Sequence, residues 1–107
     1  MSEELEVIVP DGRLDVTSAA SFRKEVNLIA AKRPKYLLID LSKVNFMDSS
    51  GLGALVSALK TVRTVDGEMA ICSLNEQVKM LFDLTSMSKI FSIYSDRQEF
   101  EQKISEG

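Results

Sequence analysis

Short apolar runs alternate along this chain with longer stretches in which apolar residues recur every third or fourth position. "LEVIVP" (Leu5 to Pro10) sets Leu5, Val7 and Val9 in alternation, which predicts a strand, and "PDG" predicts a turn after it. Beyond "RLDV" stand Thr17 and Ser18, both suited to cap a helix. From there to Lys32, Phe22, Val26, Ile29 and Ala30 fall at helical spacing. Pro34 closes that helix, because a residue before proline is driven out of the α region. "KYLLIDLS" (Lys35 to Ser42) is apolar almost throughout, the mark of a central strand covered on both faces.

"KVNF" reads as a bridge into "FMDSSGLGAL", after which Leu52, Leu55, Val56, Leu59 and Val62 make an apolar helical stripe that stops at "VDG". "EMAICSL" predicts a second apolar strand. Asn75 is a natural N-cap for "EQVKMLFDL", where Val78, Leu81 and Phe82 share a face. "KIFSIY" reads as the last strand. "SDRQEFEQKISEG" reads as a charged closing helix, capped by Ser95 or Asp96 and anchored by Phe100 and Ile104. Strands separated by helices require crossover connections. The expected fold is therefore a small α/β domain spanning residues 1–107. Its sheet is mixed but mostly parallel, with about four strands and about four flanking helices. Phe22, Ile29, Leu38, Ile39, Leu55, Leu59, Ile71, Phe82 and Ile93 are expected to form its core.

Composition narrows the chemistry. The 107 residues are 45 % hydrophobic and 27 % charged, a globular balance with a net charge of −3 and no basic block. Nucleic-acid binding is not expected, since the electrostatic footprint it needs is missing. The sequence has no histidine, which removes Ser-His-Asp and Cys-His catalysis and most zinc sites. No metal or cofactor is expected. Cys72 is the single cysteine and sits in an apolar strand; it reads as a small buried hydrophobe, with a reactive thiol as the alternative. The acidic start "MSEELEV" lacks an apolar signal core, and no apolar run is long enough to span a bilayer. A cytoplasmic protein is expected.

The chemically suggestive place is "FMDSSGLG", a loop at the start of a helix holding two of the chain's five glycines. Helix N-termini expose unpaired N–H groups and carry partial positive charge. Ser49 or Ser50 is expected to cap them, and Gly51 and Gly53 let backbone or a partner approach closely. From the residues alone three readings stand. One is a capped helix start with glycines for close packing. Another is a nucleotide fingerprint, against which the third glycine and any Gly-Lys-Ser/Thr are missing. The third is a phosphorylation switch, in which a helix-end hydroxyl takes on about −1.5 to −2 charges. A Ser-Lys enzyme would need Lys43 in contact with Ser49, and nothing in the spacing suggests that. No enzymatic activity is expected.

Taken together, "GRLDV", "LLIDLSKVNFMDSSGLGALV" and "GEMAICSLNEQVKMLFDLTSMSKIF" resemble the STAS family, specifically the anti-sigma factor antagonists, from about Val7 to Ile93. The resemblance implies a bacterial partner switch. The unmodified protein binds an anti-sigma factor that is also a serine kinase, phosphorylation ends the interaction, and a PP2C-type phosphatase restores it. Carried over, Asp48 matches the motif's acid and Ser49 the phosphoacceptor; Ser50, Gly51, Leu52 and Gly53 complete the loop and first turn. Asp15 matches an acid near that loop and the partner surface, although an Asx turn before the first helix would also account for it. Asp15, Asp48, Ser49, Ser50, Gly51 and Leu52 are thus the expected partner-binding residues. The alternative is a STAS scaffold or ligand-binding module that regulates another protein without phosphorylation. Two departures stand out. Relatives carry more chain ahead of the strand at "LEVIVP", which puts the sheet edge in question; a monomer is expected, with weak pairing through an exposed edge as the alternative. Ser86 in "FDLTSM" stands where many relatives have glycine.

Overall fold

The computed structural model describes residues 4–106. Residues 1–3, the first part of the stretch read above as an acidic start, and Gly107, the last residue of the stretch read as a closing helix, lie outside them. Element order is β1 (Leu5–Ile8), β2 (Gly12–Leu14), α1 (Ala19–Ala30), β3 (Tyr36–Asp40), β4 (Val44–Met47), α2 (Ser49–Thr64), β5 (Glu68–Cys72), α3 (Glu76–Leu84), a 3₁₀ turn (Met87–Lys89), β6 (Ser92–Tyr94) and α4 (Arg97–Glu106). One sheet runs β1-β3-β5-β6; a separate ribbon pairs β2 with β4. Every strand pairing among the described residues is parallel.

The alternation of side chains along β3 and β5 divides the interior. Leu37, Ile39, Met69 and Ile71 point to the face covered by α1, α2 and α3. Leu38, Ala70 and Cys72 point to the other face, where Phe100 of α4 covers them. Because both faces are buried, these strands read as continuous apolar runs. Phe22 and Val26 of α1, Leu55, Leu59 and Val62 of α2, and Val78 and Phe82 of α3 close the larger core. Ile29 packs at its margin, and Ile93, expected inside, is 37 % exposed because it sits on the three-residue edge strand β6. Cys72 is fully buried, and desolvation raises its thiol pKa, which leaves it protonated and inert.

Two elements depart from the sequence expectation. The "GRL" and "KVNF" segments, read as connections, are the strands of the β2–β4 ribbon, in register at Arg13–Phe46 and Leu14–Met47. They carry the loops that build the site. Helix α1 ends at Ala30, two residues before Lys32, and Arg33 then turns left-handed at φ 53° ahead of Pro34.

Ser86, the residue standing in a glycine's place, has φ 60° and ψ 19° as the chain turns from α3 into the 3₁₀ turn. A Cβ in this left-handed region costs about 1 kcal/mol or more. Ser86→Gly is therefore expected to stabilise the domain by up to about 1 kcal/mol, less what the looser unfolded chain takes back. The check is a higher urea midpoint with an unchanged m-value.

Candidate functional site

Strand β4 delivers the chain straight into α2, and the residue between them is Asp48. Its backbone is extended (φ −121°, ψ −169°), and its carboxylate Oδ1 accepts from the N–H groups of Ser50 (2.9 Å) and Gly51 (3.2 Å). Asp48, not Ser49 or Ser50, is thus the N-cap. That frees Ser49, the first helical residue. It is exposed, and among the described residues neither its hydroxyl nor its N–H makes a hydrogen bond. Ser50 is half-buried beside it.

Gly51 explains why the junction takes this register. A Cβ on Gly51 would lie 2.0 Å from the carbonyl oxygen of Leu14 and 2.8 Å from its carbonyl carbon. The same carbonyl accepts from Asp48 N–H at 3.4 Å. The first turn of α2 is therefore pressed against the end of β2, and only glycine fits. Gly53 is different: it is exposed and a Cβ there would meet nothing within 4 Å. Four residues after Ser49, it lies on the same side of the helix.

Asp15 follows Leu14, the residue whose carbonyl meets Asp48 and Gly51. Its residue is 7 % exposed, and its carboxylate is engaged internally. It accepts from the Thr17 hydroxyl and N–H (3.0 Å for the latter) and from Arg13 Nε (3.0 Å). The Thr17 contact makes an Asx turn; the Asp15 carbonyl accepts from Ser18 and Ala19 N–H and starts α1. Ser18 caps α1 by position only, its hydroxyl donating instead to the Arg13 carbonyl. The hydrogen bonds from Thr17, then from Arg13, hold the Asp15 carboxyl below the usual carboxylate range. A depressed native pKa means this stabilisation is present above the unfolded value and is lost as pH falls through the lowered one. Arg13 is fixed further by stacking over the Phe46 ring at 4.4 Å.

Leu52 and Met47, at 6 % and 0 % exposure, belong to the core. Expected as a partner contact, Leu52 instead anchors the helix inward, as does buried Gly51. On the other side of β4, Gln77 of α3 holds Met47 by both backbone groups, accepting at 2.9 Å and donating at 2.8 Å. Asn75 caps α3 through Val78 N–H (2.8 Å) while its amide donates to the Val44 carbonyl (3.1 Å). These two amides, which pattern reading did not single out beyond the Asn75 cap, brace the strand leading to Ser49. Lys43 lies in the exposed turn ahead of β4, and no hydrogen bond links it to Ser49 among the described residues.

The STAS domain model matches residues 2–100. The chain belongs to the STAS family. It is similar to the anti-sigma F factor antagonist of Paenibacillus polymyxa, with 33 % identity over 86 residues, 79 % of this chain and 74 % of that protein. Its fold matches the crystal structure of a putative anti-sigma factor antagonist from Thermotoga maritima, at TM-score 0.85 and 27 % identity, covering 98 % and 91 % of the two chains. It also matches the Bacillus cell fate determinant SpoIIAA in its phosphorylated form, at TM-score 0.70 and 17 % identity over 94 % and 92 %, a likeness of fold alone. In this STAS protein the helix start described above is the first turn of α2. No helix among the described residues is long and apolar enough to cross a membrane.

Proposed function

We propose that this STAS protein is an anti-sigma factor antagonist acting as a monomer in the cytoplasm, and that Ser49 is its switch. The unmodified Ser49 junction binds an anti-sigma factor that is itself a serine kinase. Phosphorylation of Ser49 by that kinase ends the complex, and a PP2C-type phosphatase resets it. The observation that carries the reading is an exposed hydroxyl with no internal partner, at the first position of a helix whose cap and flanking strand are both fixed. A kinase reaches such an oxygen without unfolding anything, and the fold loses no bond when it is modified. Similarity to antagonists of anti-sigma factors supports the same role.

The Asp48 cap alters the electrostatics. Two of the N–H groups that could have met a phosphate are already satisfied, and the cap is itself anionic, so exposure rather than the helix dipole makes the added charge tolerable. Within this reading the partner lies over Ser49, Ser50 and Gly53, the edge of Asp48 included. Asp15, Gly51 and Leu52 hold that surface in place from below.

Two measurements test it. Intact mass after incubation with the serine-kinase anti-sigma factors of the source organism and ATP should show one added phosphate, lost in Ser49→Ala. No phosphate from any of them overturns the proposal in favour of an unmodified scaffold. Gly53→Ala should raise stability by about 1 kcal/mol, the helix-propensity gain, because nothing obstructs the methyl. The same variant should bind the kinase more weakly, because the methyl rises where the partner settles.

A further inference from the structure

The sheet face turned away from α2 is covered, among the described residues, by α4 alone. Phe100, Lys103 and Ile104 fall at i, i+3 and i+4, so they share the side of α4 that lies over the strands. On the strands, Tyr36 stands beside Glu68 in register, and Ala70 is the next residue of β5 on that face. Ala70 is too small to reach the helix above it. A cavity of about 200 Å³ is left between them, walled by Tyr36, Glu68, Tyr94, Phe100 and Lys103.

Its aromatic walls are held in place by one another. The Phe100 ring meets Tyr36 edge-on at 5.9 Å and 81°, and Tyr94 at 5.4 Å and 74°. An apolar cavity of about 150 Å³ takes up benzene, so this one has room for a side chain the size of leucine's. The charged walls are Glu68 and Lys103, one of each sign, with no other charged residue lining the cavity among those described. Lys35, whose Nζ lies 5.4 Å over the Tyr36 ring, is not one of the walls. Glu68 and Lys103 are exposed, so they stand at the mouth, and among the described residues neither is in an ion pair.

We propose that this cavity binds a free α-amino acid with an apolar side chain. Its ammonium group meets Glu68, its carboxylate meets Lys103, and its side chain lies over Ala70 against the aromatic walls. A simple anion would be repelled by Glu68 and a simple cation by Lys103, whereas a zwitterion is attracted by both. The end of a peptide carries only one of the two charges, so the free amino acid is the better match. Such a ligand ties α4 to the strands and stabilises the folded chain by linkage. The site is separate from Ser49, which begins a helix on the opposite face of the sheet, and it does not depend on the proposed switch.

The test titrates L-leucine into the full chain and follows the backbone amide resonances. Saturable shifts are expected in β5, β6 and α4 and none at Ser49, with a dissociation constant at or below about 1 mM. Isocaproate, which is leucine without the amine, and isoamylamine, which is leucine without the carboxylate, should each bind at least ten-fold more weakly. Glu68→Gln and Lys103→Gln change exposed positions and should keep the wild-type melting temperature. Each should weaken leucine binding about five-fold, the upper range for an exposed charge pair. Glu68→Gln should also bind isocaproate as well as it binds leucine, because the repulsion is gone. Leucine that produces no saturable shift, or shifts centred away from α4, overturns the proposal. So does wild-type protein that binds either analogue as tightly as leucine, since the cavity would then be selecting for an apolar body and not for the paired charges.

Discussion

Gly51→Ala is expected to destabilise the domain by at least about 3 kcal/mol, at the severe end of what overpacking does. The added methyl would sit 2.0 Å from the Leu14 carbonyl oxygen, a backbone atom with no rotamer to yield. Relief requires α2 to lift from the end of β2. That in turn opens the Asp48 to Leu14 contact and displaces Leu52, Leu55 and Leu59 from the core. For a domain near 100 residues such a loss lowers the melting temperature on the order of 15 °C. Total stability of a small domain is roughly 5–15 kcal/mol, so the variant stands close to unfolding. Gly53→Ala, two residues on, should move the other way. A thermal melt of the two variants side by side checks both signs, and a Gly51→Ala protein as stable as wild type would show that the junction is looser than described.

Ser49 should show the opposite separation, with a large change in binding and a small one in stability. Ser49→Ala removes a hydroxyl that makes no internal hydrogen bond, so it should fold normally, escape phosphorylation and keep the partner. Ser49→Asp places a charge one residue after the anionic cap. Its stability cost is within the ±0.5 kcal/mol of an ordinary surface change, because water reaches the site. Its binding should fall at least about 100-fold, equivalent to roughly 2.7 kcal/mol, since a partner seated over the junction must desolvate that charge beside the anionic Asp48 cap. A full reversal of occupancy by the dianionic phosphate needs roughly 5.5 kcal/mol. Ser49→Asp and Ser49→Ala of equal affinity would contradict the switch.

Much of this was legible in the chain because local and global demands agree. The continuous apolar runs of β3 and β5 announced strands buried on both faces, and the stripes of α1, α2 and α3 announced which residues face them. Asn75 and Asp96 were readable as caps; Asp96 does accept from Glu99 N–H at 2.8 Å. The β2–β4 ribbon was not readable. Strands of three and four residues carry too little alternation to register, and their pairing depends on contacts between segments thirty residues apart. The cap of α2 was misplaced for a related reason. Asp and Ser cap about equally well, so composition leaves the helix start free by a residue or two. What fixes it is a tertiary fact, the squeeze of Gly51 against Leu14. Resemblance points to Asp15 and Leu52 as partner contacts, with an Asx turn as the alternative for Asp15. Asp15 makes that turn into α1, and Leu52 is buried in the core.

The central claim is that charge at Ser49 removes the partner while leaving the fold alone. It is tested most directly on protein phosphorylated to completion by its kinase, with melting temperature and kinase affinity measured on the same sample before and after. The account predicts a melting temperature within a few degrees of the unmodified protein and affinity lower by at least about 100-fold. Undiminished affinity in the phosphorylated protein, or affinity lost only because the domain has unfolded, would contradict it.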